Sequence, residues 1–288
     1  MKKKLRDYFL RLEEKFGHLK HTPVWLYIKP WYYVVKTSVG LEPVEPGPDP
    51  EAVAFYTQNA GRIQSVANLL ADSRSKKIYL KAWQYRQTRK RRDFPPYDWR
   101  VPYFKMFPFA NDEVYVDCGA FTGDTVDAFI RHCPGYKRIA AFEPDAKNYA
   151  QLLANHGGTR DVELINAGAY DREGEVFFSG HGEAAAITME KQDGRESIRV
   201  NTIDNLNLEK VTLIKMDIEG AELNALKGAE KTILRDKPKL AICIYHSHGD
   251  MLHIPEYIHQ LVPEYRFRVN HYQCHPFLHE TVLFAHVP

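Results

Sequence analysis

The chain has 288 residues, 44% of them hydrophobic, with 39 Lys and Arg against 37 Asp and Glu. Such a content supports one large buried core of about 200 residues plus an appendage. The net charge of +2 excludes a general electrostatic pull towards nucleic acid or an anionic membrane.

The start, MKKKLRDYFLRLEEKFGHLK, has no apolar segment or small-residue cleavage site, and no stretch reaches the roughly 18 apolar residues of a membrane span. Cys118, Cys133, Cys243 and Cys274 are scattered without CxxC spacing, so no disulfide framework is expected. A soluble protein of the reducing cytoplasm, with no membrane partner, is the expectation. Residues 5–16 fit a helix with Leu5, Tyr8, Phe9, Leu12 and Phe16 on one side, LEPVEPGPDP (41–50) is a connector, and a second helix spans 50–71. In residues 76–100 basic side chains alternate with Tyr79, Trp83, Tyr85 and Trp99. That mixture suits stacking on a nucleic acid, but charge runs are more often the solvated face of a helix whose aromatic side packs on the main domain. The chain divides on this reading into a helical segment, 1–100, that covers a site or mediates self-association into a homo-oligomer, and a main domain, 101–288.

From residue 111 the pattern is regular. VYVDCG, RIAAFEPD and VELINAGAYD alternate with helix-like DTVDAFIRHC and AKNYAQLLANHG; EVFFSG after the turn DREG reads as an antiparallel excursion. VTLIKMD, EGAELNALKGAEKTIL and KLAICIYH resume the alternation, and RFRVN and TVLFAHV close it. Such βαβ units imply a doubly wound α/β fold, a parallel sheet with helices on both faces.

In that fold ligands sit beyond the carboxyl ends of the strands, at the first βα turn. Here the turn is VYVDCGAFTGDT (114–125), with Gly119 and Gly123 but Phe121 where a dinucleotide fingerprint carries its second glycine. Asp117 and Asp124 on either side would repel a pyrophosphate and suit a cation. S-adenosylmethionine, with an ammonium and a sulfonium, is such a ligand. Asp117, Gly119, Ala120, Phe121, Thr122, Gly123 and Asp124 are its candidate contacts. Glu143, before Pro144 and about twenty residues further on, is placed to accept both ribose hydroxyls, or else caps the next helix. Asn166, Ala167 and Gly168 end the third strand, placed to flank the adenine.

VYVDCGAFTGDT, IAAFEPD, ELINAGAYDREGEV, VNTIDNL, LIKMDIEGAELNALKGAEKTI, PKLAICIYH and ETVLFA together resemble the FkbM family of S-adenosylmethionine-dependent methyltransferases over residues 111–285. The resemblance implies a class I, Rossmann-like sheet, mostly parallel with an antiparallel edge, and methyl transfer to a hydroxyl of a sugar, glycoconjugate or natural product. An NAD-linked oxidoreductase is the alternative on the same fold, and a non-catalytic binder of RNA or an acidic partner through residues 76–100 is the alternative outside it.

The fourth strand, expected beside the first, brings Asp217 towards the transferable methyl; Asp217 is also a candidate cofactor contact. Two residues on, Glu219 points to the same side of an extended chain, unless it caps the following helix. His246 ends the fifth strand and can take the acceptor's proton as general base, with His248 and Asp250 as weaker candidates. Histidines 246, 248, 253, 271, 275 and 279 gather late in the chain, and some could bind a metal with Asp217, but none has a ligand spacing such as HExxH. No metal is assigned.

Overall fold

The structure is a computed structural model that describes residues 47–98, 103–179, 186–188, 197–273 and 278–288. The helix expected at 5–16, most of the connector at 41–50, Trp99, Cys274 and His275 lie outside the described residues.

Two helices open the described chain. α1 (Pro50–Leu69) starts on Asp49, whose carboxylate accepts the Glu51 and Ala52 N–H groups, with Pro50 at the first helical position where no N–H is needed. α2 (Ser73–Thr88) starts on Asp72 in the same way and ends on Arg89 in the left-handed conformation. Among the described residues eleven strands and five more α-helices follow. These are β1 (Val114–Cys118), α3 (Asp124–His132), β2 (Arg138–Phe142), α4 (Ala146–His156) and β3 (Val162–Ile165). Next come β4 (Gly168–Ala169), β5 (Gly174–Ser179), β6 (Ala186–Thr188), β7 (Ser197–Asn201), β8 (Leu213–Met216), α5 (Glu222–Lys227) and α6 (Glu230–Asp236). β9 (Lys239–Cys243), α7 (Asp250–Leu261), β10 (Arg266–His271) and β11 (Thr281–His286) complete the chain.

The main sheet has seven strands in the order β10-β11-β9-β8-β1-β2-β3. β1 pairs in parallel with β2 on one side and β8 on the other, whereas β11 runs antiparallel to both β9 and β10. The doubly wound sheet with an antiparallel edge is therefore as expected. β1 is buried along its whole length, as covering helices on both faces require. The excursion at EVFFSG is a strand of a second, four-stranded sheet, β4-β7-β5-β6.

The boundary drawn at residue 100 does not separate two bodies among the described residues. Ile63, Val66, Ile78, Tyr79 and Trp83 of α1 and α2 share one hydrophobic cluster with Val116, Ile214, Leu240 and Leu283 of the sheet. Hydrogen bonds sew the pair to β10: Ala71 N–H donates to the Phe267 carbonyl at 2.8 Å and Val269 N–H to the Ser75 hydroxyl at 3.0 Å. Tyr79, Trp83 and Tyr85 are at most 2% exposed, so none of them has a face left for a base to stack on.

At the amino ends of the strands, opposite the glycine turn, Glu113 is 1% exposed and bonded to Lys239 and the Ala110 N–H. Burial alone would raise its pKa, but Lys239, Thr212 and the Ala110 amide together hold it below the ordinary glutamate value. A carboxyl lowered on folding adds stability above its unfolded pKa and loses it as pH falls through the folded one. Glu113→Gln should therefore cost about 1–3 kcal/mol at pH 7, with the gap to the parent closing below about pH 4. Urea melts at both pH values check this.

Candidate active site

At the switch point, β1 delivers the chain into the glycine turn. Asp117 is 0% exposed. Lys215, buried on neighbouring β8, holds its ammonium 3.1 Å from Asp117 Oδ1, and the Thr125 hydroxyl donates to Oδ2. Asp117 thus presents no surface to a ligand, which corrects its assignment as a contact for a cation: an internal ammonium has taken that place. Its supposed repulsion of a pyrophosphate goes too. Asp124, exposed at the first position of α3, keeps the expected position.

Gly119 has φ +80°, and a Cβ there would lie 2.0 Å from the Asp217 carbonyl oxygen, so only glycine lets the β1 turn pass the end of β8. Ala120 is a core residue at 0% exposed, and Thr122 is half-buried with its carbonyl bonded by Asn155. Phe121 takes the left-handed conformation, φ +51°, which costs a side chain about 1–2 kcal/mol, and its ring is 55% exposed. The Phe121 N–H donates to Glu143 Oε2 at 2.9 Å, fixing the turn.

Glu143 is 5% exposed. Its other oxygen accepts the Asp145 N–H at 2.9 Å, while Asp145 itself caps α4. Helix capping is therefore not Glu143's work. Each oxygen accepts one backbone N–H, and burial chiefly raises the pKa against those two bonds and the Asn148 side chain. Asn166 donates to the Glu143 and Pro144 carbonyls at 2.9 and 3.4 Å, Pro144 is half-buried and Ala167 is buried, so the ends of β2 and β3 are tied together where the adenosine was expected.

A second cluster lies beyond β8 and β9. Asp217 Oδ1 accepts the Tyr245 hydroxyl at 2.9 Å and Oδ2 the Tyr103 hydroxyl at 3.3 Å. Burial works against its charge, but Lys215 first, then His246 and Tyr245, hold it below the usual carboxylate range. His246 Nε2 is 3.4 Å from Asp217 Oδ1, and Nδ1 is 2.9 Å from Oε1 of Glu222, a fully buried residue whose Oε1 also accepts the Ile218 N–H. Glu219 Oε2 is 3.7 Å from Nε2. The chain is not extended beyond Asp217: Glu219 has φ +57° and reaches His246 from a left-handed turn, not from a shared strand face. Burial would lower the His246 pKa, but Glu222, then Asp217 and Glu219, push it up to about 9. The three carboxylates thus favour the charged imidazolium.

A family model described as the methyltransferase FkbM domain matches residues 117–269, from the glycine turn through both clusters. The chain belongs to the FkbM methyltransferase family. A curated relative, the 2-O-methyltransferase NoeI of Sinorhizobium fredii, is 26% identical over 149 residues, 44% of this chain and 61% of its own length. The crystal structure of methyltransferase FkbM from Methylobacillus flagellatus superposes with a TM-score of 0.69 at 29% identity, over 81% of this chain and 60% of the other. The chain thus spans about three fifths of the length of each relative. The fold is that of class I methyltransferases.

Within this FkbM domain, sequence reasoning missed Lys215, Glu222, Tyr245 and, upstream of the family match, Tyr103. Lys215 had a signal, since a lone cation in a strand buried on both faces needs a partner. Tyr103 had none. Among the described residues the late histidines do not all gather at His246: His248 turns to Asp49 at 3.3 Å and Arg86 at 3.1 Å, and His271 is buried against Thr281. Asp250 accepts the Ser247 N–H and serves the start of α7. Where the sequence raised a metal between Asp217 and the late histidines without assigning one, the fold collects Asp217, Glu222 and His246, each offering one ligand atom, all within 4.8 Å of one another.

Proposed function

We propose that this chain transfers a methyl group from S-adenosylmethionine to a hydroxyl of a small sugar-like or natural-product acceptor. The observation that carries the reading is the meeting of two clusters at adjacent strand ends: the turn with Glu143 beyond β1 and β2, and Asp217 with His246 beyond β8 and β9, in contact through Gly119 and Asp217. Membership of the family and similarity to a 2-O-methyltransferase support the reaction class.

The residues of the first cluster fit an adenosine and a methionine portion. Glu143 is anchored by two amides with lone pairs left for ribose hydroxyls, and Asp124 is exposed for an ammonium. When bound, the cofactor supplies an activated methyl group. The chain's own work is to hold the acceptor oxygen in line at near-attack distance, and Asp217, Glu219 and His246 ring that place.

Calorimetry with S-adenosylmethionine, its demethylated product and NAD tests the cofactor, and a one-methyl mass shift in fractionated extract tests the transfer. Binding of NAD without either S-adenosyl compound would overturn the reading. Glu143→Ala should weaken S-adenosylmethionine binding by about 1.5–3 kcal/mol, roughly 10- to 150-fold, the range for hydrogen bonds to a charged group. Unchanged affinity in the folded variant would leave Glu143 as a turn anchor only.

A further inference from the structure

His246 is the odd member of its surroundings. Its side chain is 8% exposed, yet neither ring nitrogen has an aligned hydrogen-bond partner, because the Glu222 oxygen 2.9 Å from Nδ1 stands out of line. Glu222 Oε2, in a side chain 0% exposed, has no partner either. Three unsatisfied buried atoms in one place are costly unless something joins them.

Among the described residues, carboxylates outnumber the imidazole they face. Asp217, Glu219 and Glu222 converge on one imidazole. Lys215 is paired with Asp117 at 3.1 Å and donates to the Gly119 carbonyl at 2.8 Å and the Cys118 carbonyl at 3.3 Å. Tyr245 and Tyr103 donate to Asp217 but bring no charge. A buried ring nitrogen and a buried carboxylate oxygen without partners, ringed by three carboxylates, are what a cation satisfies.

We propose that Asp217, Glu222 and His246 hold a divalent cation of the magnesium or manganese class, with Glu219 reaching the same point from its exposed turn. The 3.4 Å between Asp217 Oδ1 and His246 Nε2 is the span of two bonds of about 2.1 Å to one ion at roughly 110°. Carboxylates favour the harder ions and the imidazole tolerates manganese, so Mn²⁺ is the natural probe. Three protein ligands leave positions for other oxygens.

The role of the ion, though not its binding, rests on the methyl-transfer reading. An ion here lowers the pKa of an acceptor hydroxyl at the point of delivery. The O–H proton passes to solvent water, the oxygen's electron pair forms the O–CH₃ bond, and the C–S bond breaks to leave a neutral thioether. His246 then serves to hold the ion, in place of the general-base role expected from the sequence.

Electron paramagnetic resonance of free Mn²⁺, titrated with the full chain in the absence of cofactor and acceptor, tests the site. The expected result is loss of the free-ion signal at one equivalent per chain, reversed by excess Mg²⁺. The near-isosteric variants Asp217→Asn and Glu222→Gln should bind at least tenfold more weakly, and Glu163→Gln, on the far edge at β3, should bind like the parent. Circular dichroism confirms that each is folded, and His246→Ala adds a fourth variant should one of them fail. No binding at millimolar Mn²⁺, or equal binding by parent and variants, overturns the proposal. Neither outcome bears on calorimetry with S-adenosylmethionine, so the two readings fail separately.

Discussion

Replacing Lys215 by methionine is expected to destabilise the fold by about 3–5 kcal/mol, because it leaves Asp117 charged and fully buried with no ammonium. Burial by itself would push the Lys215 pKa down, but Asp117 foremost, then Asp217, more than reverse this, so the ammonium is charged throughout the working pH range. The pair is 2% and 0% exposed, out of reach of solvent screening. Three losses coincide in Lys215→Met: the ion pair and the donors to the Gly119 and Cys118 carbonyls. The melting midpoint should fall by roughly 10 °C in a chain of this size. The pairing makes a sharper forecast. Adding Asp117→Asn to Lys215→Met should recover part of the loss, since the uncompensated charge is then gone. Differential scanning calorimetry on the two single variants and the double variant completes the cycle; strictly additive losses would show that the two side chains do not act as a pair.

His246→Ala is expected to lower kcat by about 10²-fold or more on the true acceptor, while affinity for S-adenosylmethionine stays within about threefold of the parent. The split follows from position. His246 belongs with Asp217, Glu219 and Glu222 beyond β8 and β9, whereas the proposed adenosine contacts lie beyond β1 and β2. Asp217→Asn should behave alike, because Asp217 Oδ1 faces Nε2 directly. Glu219→Gln should have the smaller effect, its side chain being 88% exposed. A histidine that merely packs would show the reverse pattern, a lower melting midpoint with turnover near the parent rate. Steady-state kinetics and thermal melts on the same preparations separate the two.

Much of the frame was legible because it depends on local chemistry. VYVDCG could only be a strand buried on both faces, Gly119 and Gly123 could only be a turn, and alternating runs could only wind a parallel sheet. Asp217 at the end of VTLIKMD was placed correctly by topology, since a fourth strand beside the first follows from the winding. What could not be read depends on distances across the fold. The carboxylate of Asp117 was exposed on paper and is enclosed in fact, because its partner lies ninety-eight positions away on β8, roughly a strand spacing in space. Glu222 is five positions beyond Asp217 but meets His246 through a left-handed turn that extended-chain reasoning excluded. Tyr103 enters from a segment with no periodicity.

The burial of α1 and α2 against β10 also bears on how such proteins can be recombined. The family match ends at residue 269, inside β10, and begins at Asp117, inside β1. A chimera exchanged at those borders would cut two strands and import a sheet without β11, which lies between β10 and β9. It would also mate a foreign sheet to Trp83 and Tyr79, side chains shaped to the old one. Arg86 of α2 donates to the Tyr245 carbonyl at 2.6 Å, next to His246. A change in the helical pair, outside the family match, therefore reaches the strand end that carries His246, where the proposed acceptor would lie.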